Sequence, residues 1–283
     1  MSERLADRID HTPGEVIPSF EAYGGTAAEN YERHFVPAIG APLAVKLVEI
    51  AALTTGERVL DVACGTGVVA RLAAEKVSAT GLVTGLDINP GMLAIAQSVS
   101  SDHAILDWHE SAAEATGLPD AGYDAALCQM GLQFFADRHA ALGEIRRVLA
   151  PGGRLVASVP GPTPSVFQIL ERALRDHVSP DAAKFVTAVF SLHEPPELKL
   201  LLMDAGFNDI AVIRETAALR LPAPAEFLWQ YVSSTPLASV VASLRGPARE
   251  ALKRDVVRQW QTFIQNGAFI LDLEVVYVTA NTG

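Results

Sequence analysis

The chain has 283 residues and a formal net charge of −11; 49% of its residues are hydrophobic and 19% charged. That balance fits a globular protein of one large α/β domain or two modest ones, and the negative field, with no Lys/Arg run longer than two, argues against nucleic acid as a substrate. Two cysteines, Cys64 and Cys128, each in an apolar stretch, supply neither a disulfide framework nor a zinc site and fit a reducing cytosol.

The N-terminus mixes charges of both signs, and no run of about 18 apolar residues follows, so a cytoplasmic protein without membrane insertion is expected. Residues 1–40 read as a helical lid arm and residues 41–160 as a ligand-binding core. In the core, short apolar runs alternate with helical periodicity, the pattern of β-α units around a parallel sheet. Strands are expected at Arg58–Val62, Leu82–Ile88, Ala104–His109, Tyr123–Met130 and Arg154–Val159. Met92, Ile95, Ala96 and Val99 lie on one stripe of a crossover helix, as do Leu142, Ile145, Val148 and Leu149. After Gly161, prolines punctuate helical stretches. A sixth strand is expected at Asp209–Arg214, helix over Pro224–Gln265, and a seventh strand at Phe269–Ala280. The fold class is therefore α/β, a Rossmann-like, mostly parallel seven-stranded sheet covered on both faces, with residues 161–283 completing the sheet and adding helical caps.

The first strand runs into Gly65-Thr66-Gly67 and then a helix, a turn whose backbone N–H groups can face a ligand. About twenty residues later Asp87 ends the second strand, where an acid can accept both hydroxyls of a ribose. Gly65-x-Gly67-x-x-Ala70 with Asp87 also satisfies the dinucleotide fingerprint, so an NAD(P)-dependent oxidoreductase stands as an alternative. Asp61 weighs against it: a carboxylate beside the turn suits a ligand cation and opposes a pyrophosphate.

Three stretches carry a resemblance: Val59-Leu60-Asp61-Val62-Ala63-Cys64-Gly65-Thr66-Gly67, then Gly85-Leu86-Asp87-Ile88-Asn89-Pro90-Gly91-Met92-Leu93, then Arg147-Val148-Leu149-Ala150-Pro151-Gly152-Gly153-Arg154-Leu155. With Leu118-Pro119, Tyr123-Asp124 and Gln129 to Phe135 between them, the chain resembles the class I S-adenosylmethionine-dependent methyltransferases. It is most similar to their branch of ubiquinone, menaquinone and small-metabolite enzymes. The resemblance covers residues 58–160 specifically and the last hundred only loosely.

It implies S-adenosylmethionine as cofactor and methyl transfer to an O, N or C nucleophile of a small, apolar or ring-containing metabolite. Asp61, Ala63, Gly65, Thr66 and Gly67 would surround the methionine part, Asp87 the ribose, Ile88 and Met92 the adenine, and Gln129 and Met130 the reactive methyl. The acid usual after the third strand is replaced by Ala112, followed by Ala113, whose amide could serve the adenine edge; Glu114 is the other candidate. That departure keeps a third alternative, a cofactor-binding regulatory protein without activity. Tyr23, Tyr31 and Phe134 are candidates for the substrate pocket, with packing as the competing role. His193 is the one weak candidate base, a helix-capping role being its rival, and no histidine spacing suggests a metal. A small-molecule partner is expected, and a homodimer is allowed.

Overall fold

The computed structural model describes residues 20, 26–101, 105–242 and 244–283. Tyr23 and most of the first half of the lid arm lie outside the described residues. The strands are β1 Arg58–Val62, β2 Leu82–Asp87, β3 Leu106–Glu110, β4 Tyr123–Gln129, β5 Leu149–Pro160, β6 Asn208–Leu221, β7 Ile264–Gln265 and β8 Ala268–Asn281. They form one sheet in the order β3-β2-β1-β4-β5-β8-β6, with β7 paired to β8. β1 to β5 run parallel, while β8 is antiparallel to both β5 and β6. The order reverses between β1 and β4, which opens a crevice at their carboxyl ends, the usual ligand position in such sheets.

The sheet has eight strands where seven were expected. The extra one, β7, is two residues long and joins β8 through Asn266 (φ 50°) and Gly267 (φ 77°). Asn-Gly with both residues left-handed is the favoured two-residue hairpin turn, so it ends the helix expected to reach Gln265. That helical region is three helices, Pro224–Ser233, Leu237–Ala242 and Pro247–Trp260, followed by a short 3-10 turn.

β6 is also longer than the expected Asp209–Arg214. Its alternating tail buries Leu219 and Leu221 while Arg220 stays exposed. β5 stops against Val275, so beyond that point β6 and β8 project past the carboxyl edge as an arm, joined on its other side only by the two-residue β7. Leu219, Leu221, Phe269, Leu271 and Leu273 on this arm join one core with Phe167, Leu170 and Phe185 from two further helices, Ser165–His177 and Pro180–Val189. Leu252, Val256 and Trp260 are fully buried there, and the Trp260 indole donates to the Val166 carbonyl (2.9 Å). Sheet and cap thus share one continuous apolar core, and burial of its large side chains is the main force fixing the cap above the crevice.

On the lid side, helix Thr26–Asn30 continues as a wide π turn over Tyr31–Gly40 and then as helix Ala41–Ala51. Pro37 lies within the wide turn, and the Ala41 N–H reaches back to the Val36 carbonyl, a five-residue step. This 26-residue run is long and apolar enough to cross a membrane by length and composition alone. Its Leu43, Ala44, Leu47, Val48 and Ala51 are instead buried, on a helix that packs against β4, β5 and helix Val68–Val77.

Candidate functional site

The turn after β1 is built from residues in unusual backbone states. Ala63 (φ 56°), Gly65 (φ 55°) and Gly67 (φ 82°) are all left-handed, and so is Met130 (φ 52°) in the facing turn after β4. Non-glycine residues adopt this region at a cost, and they gather where a backbone must be aimed. Gly67 has a further reason to be glycine. A Cβ there would lie 2.3 Å from the Trp108 ring, and one at Gly85, which faces Trp108 across β2 and β3, 2.4 Å. Gly67 therefore makes room for an indole on its Cβ side.

Three N–H groups at the turn are already engaged. Gly65 N–H donates to Asp87 Oδ2 (2.8 Å), Ala70 N–H to Asp61 Oδ2 (2.9 Å), and Gly67 N–H to the Cys64 carbonyl (2.9 Å). Two buried carboxylates thus converge on the place where a dinucleotide would put its pyrophosphate. Burial pushes the Asp61 carboxyl up to about 8, opposed by the Ala70 N–H and helped by the charge of Asp87. Asp87 is raised by burial as well, against bonds from Asn89, Gly65 and Ile88. Such a pair is relieved by a cation or by donors and worsened by a phosphate.

Lid residues close over the turn. Tyr31 stacks on Phe35 (centroids 4.6 Å), and a Cβ at Gly65 would lie 3.8 Å from its ring. Burial, then the charges of Asp87, Glu32 and Asp61, hold its phenol well above the usual range. Arg71 donates to the Thr66 carbonyl (2.6 Å) and to Glu32 Oε1 (2.9 Å), tying lid to turn. Asn89 caps the next helix through Gly91 and Met92 N–H and donates to the Phe20 carbonyl.

Among the described residues, five buried side-chain oxygens have no hydrogen-bond partner: Glu32 Oε2, Thr66 Oγ1, Gln129 Oε1, Gln133 Oε1 and Ser158 Oγ. They sit on the lid, the β1 turn, the β4 end and its turn, and β5 beside Gln129 in register. Three of them can only accept. The crevice therefore asks for a ligand rich in N–H and O–H groups, and preferably cationic.

With this geometry in view, the similarities to known proteins are informative. Residues 60–157 match a family described as "Methyltransferase domain". A demethylmenaquinone methyltransferase of Thermus thermophilus is 33% identical over 176 residues, covering 58% of this chain and 80% of that protein. The chain belongs to the class I S-adenosylmethionine-dependent methyltransferases. A nocamycin O-methyltransferase of Saccharothrix syringae aligns over 84% of this methyltransferase and 90% of its own length at 26% identity. In fold it is similar to a Haemonchus contortus phosphoethanolamine N-methyltransferase solved with S-adenosyl-L-methionine (TM-score 0.59, 19% identity, 90% of this chain and 56% of the other).

The cofactor is S-adenosylmethionine, and these residues fit it, since its ammonium and ribose hydroxyls can satisfy the unpaired oxygens of Glu32 and Thr66 and the buried carboxylates of Asp61 and Asp87. Asp61, Thr66 and Glu32 would hold the methionine end and Asp87 the ribose. Ile88, exposed at 45%, presents an open apolar surface next to Asp87, whereas Met92 is already buried under Ala28 and Tyr31. Ala113 is buried in the lower core, and Glu114 accepts from the Asp137 N–H at 3.3 Å. Ala112 caps a tight turn by accepting from the Ala115 N–H.

Gln129 is fixed by its Nε2 donating to the Gly40 carbonyl (3.0 Å), and Met130 N–H donates to the Ser158 carbonyl (2.8 Å). Phe134 is partly exposed and makes an edge contact with Phe20 (5.2 Å). His193 sits apart from these residues in role: Nδ1 lies 2.9 Å from the Phe190 carbonyl and Nε2 3.2 Å from Glu194. Both nitrogens are engaged locally, as in a helix cap. Sequence reasoning passed over Glu32, Arg71, Trp108, Gln133 and Ser158. Of these only Trp108 had a signal, since a glycine in mid-strand such as Gly85 calls for a bulky cross-strand neighbour.

Proposed function

We propose that the protein transfers a methyl group from S-adenosylmethionine to an oxygen, nitrogen or carbon nucleophile of a small, ring-containing or largely apolar metabolite in the cytoplasm. The observation that carries this reading is the pair of buried carboxylates, Asp61 and Asp87, bonded to the glycine turn. They favour a cationic amino-acid nucleoside over a pyrophosphate. The relatives act on demethylmenaquinone and nocamycin by name, which supports a small-molecule acceptor without choosing one. The net charge of −11 speaks against nucleic acid, and the aromatic residues of the cap support an apolar acceptor.

When bound, the cofactor supplies an electrophilic methyl group and a good leaving group. The chain's own contribution is to align and to exclude water. Asp61 and Asp87 position the donor, the β4 turn and the cap position the acceptor, and the lid covers both. Alignment of this kind supplies up to roughly 7–11 kcal/mol for well-oriented reactants. Among the described residues no side chain is placed to serve as a dedicated base, so the acceptor is expected to be one that ionises readily or loses its proton after transfer. Calorimetry tests the reading: S-adenosylhomocysteine should bind in the submicromolar range and NADH not at all. Binding of NADH alone refutes it. A radiolabelled methyl donor incubated with metabolite extract then identifies the acceptor.

A further inference from the structure

Gln133 lies on the 3-10 turn Leu132–Phe134 that follows β4, and it is 5% exposed. Its Nε2 donates to the Met130 carbonyl (2.9 Å), which can only accept, so the amide is oriented with its oxygen turned away. That oxygen is buried and has no partner among the described residues. The turn itself is rigid. Arg138 donates to the carbonyls of Leu132 (3.3 Å) and Gln133 (3.1 Å), and Phe134 N–H bonds to Gly131. Aromatic rings gather beside it: Phe20 packs on Phe134 (5.2 Å) and on Phe185 of the cap (5.9 Å). An unpaired amide oxygen held this firmly in an apolar surround is costly to keep unless a ligand uses it.

We propose that the Gln133 amide oxygen accepts a hydrogen bond from an O–H or N–H of the methyl acceptor, and so selects neutral, hydroxyl- or amine-bearing ring compounds. This rests on the methyltransferase reading and deepens it by naming the group that orients the second substrate. The charge around the crevice agrees with a neutral acceptor. Asp61, Asp87 and Glu32 are acidic, and the nearby cations Arg71 and Arg138 are already bonded to Glu32 and to turn carbonyls. An anionic acceptor would find no free cation among these residues.

The test uses the full chain loaded with S-adenosylhomocysteine and two probes of nearly equal shape, 1-naphthol and 1-methylnaphthalene, titrated by calorimetry. The wild type should bind the naphthol about tenfold or more tightly than the hydrocarbon, because a site built around a polar group rejects the analogue that lacks it. Gln133→Met should bring that ratio close to one while S-adenosylhomocysteine affinity stays within about twofold, which also reports a folded cofactor site. If Gln133→Met loses the cofactor product, Gln133→Asn withdraws the oxygen in its place and the same ratio decides. A preference that persists in Gln133→Met or in Gln133→Asn, or no binding of the naphthol to the loaded wild type, overturns the proposal. Failure of the wild type to bind S-adenosylhomocysteine overturns the underlying methyltransferase reading instead, so the two failures are separable.

Discussion

The two halves of the molecule hold their residues to different standards. From β1 to β5, individual positions are fixed by backbone geometry: Ala63, Gly65, Gly67 and Met130 are left-handed, and two carboxylates cap specific N–H groups. In the cap, from Ser165 to Phe269, what matters is that large apolar side chains fill one core with the β6–β8 arm. Many sequences satisfy the second demand, because hydrophobic residues of suitable volume interchange at modest cost. Few satisfy the first. A methyltransferase of this design can thus keep its donor site while its acceptor pocket diverges, and mutations in the halves should separate stability from cofactor affinity.

The largest effect on stability belongs to the cap. Phe185 is 1% exposed and packs on Phe20, so Phe185→Ala should destabilise by about 3–5 kcal/mol in chemical denaturation. The affinity of the remaining folded protein for S-adenosylhomocysteine should change little; a loss in proportion to stability would break the separation. Gly67→Ala comes next. It combines a left-handed φ with a clash against Trp108, and about 2–3 kcal/mol of destabilisation is expected, together with weakened cofactor binding. Trp108→Leu in the same chain should recover part of the loss. No recovery would mean that the backbone alone sets the cost.

Asp61 sharpens the contrast because its stability and binding effects oppose each other. Its folded value of about 8 lies above that of an unfolded carboxyl, so the folded chain holds the proton more tightly. The stability it contributes is complete in acid and is lost as pH climbs from about 4 toward 8. Asp87, raised too, acts in the same direction, while Glu144, held down to about 2 by Arg147, acts oppositely and only in acid. Binding of the cofactor ammonium needs the ionised form, so S-adenosylhomocysteine affinity should rise with pH over the upper part of that window, with proton release seen by calorimetry in buffers of different ionisation enthalpy. Asp61→Asn should flatten both profiles and weaken binding by roughly 1–3 kcal/mol while raising Tm above neutrality. A variant as pH-dependent as the wild type would assign the titration to another group.

How far the sequence revealed these features follows the same division. The β1 turn, Asp61, Asp87 and the end of β4 were legible because the spacing of strand, glycines and acid reports backbone geometry directly. Trp108 was not, although the glycines it requires were, since a sequence marks a missing Cβ but not the side chain that fills the space. The long β6 was read short because Glu215, Thr216 and the alanines look solvent-facing until β8 pairs with them beyond the end of β5. The Asn266-Gly267 turn carried a clear hairpin signal that helical periodicity upstream outweighed. Gln133 and Ser158 could not be singled out, because an unpaired buried oxygen is a property of the packed molecule.

The smallest predicted effect concerns the joint between lid and donor site. Arg71 and Glu32 are both mostly buried, 18% and 21% exposed at the side chain, and Arg71 adds a bond to the Thr66 carbonyl. A partly shielded pair with a second hydrogen bond is worth about 1 kcal/mol, more than an open surface pair but far less than the cap core. Arg71→Met keeps the apolar stem packed and removes only the charged head. It should cost about that much stability and speed release of S-adenosylhomocysteine severalfold in stopped-flow measurements, because the lid loses its anchor to the turn that it covers. Glu32→Gln should give a milder version of the same change, since Arg71 then keeps its bond to Thr66. If release is unaltered in both, the lid is held by Phe35 on Tyr231 of helix Pro224–Ser233 and by Ala28 on Met92, and the ion pair only orients Arg71 toward the turn.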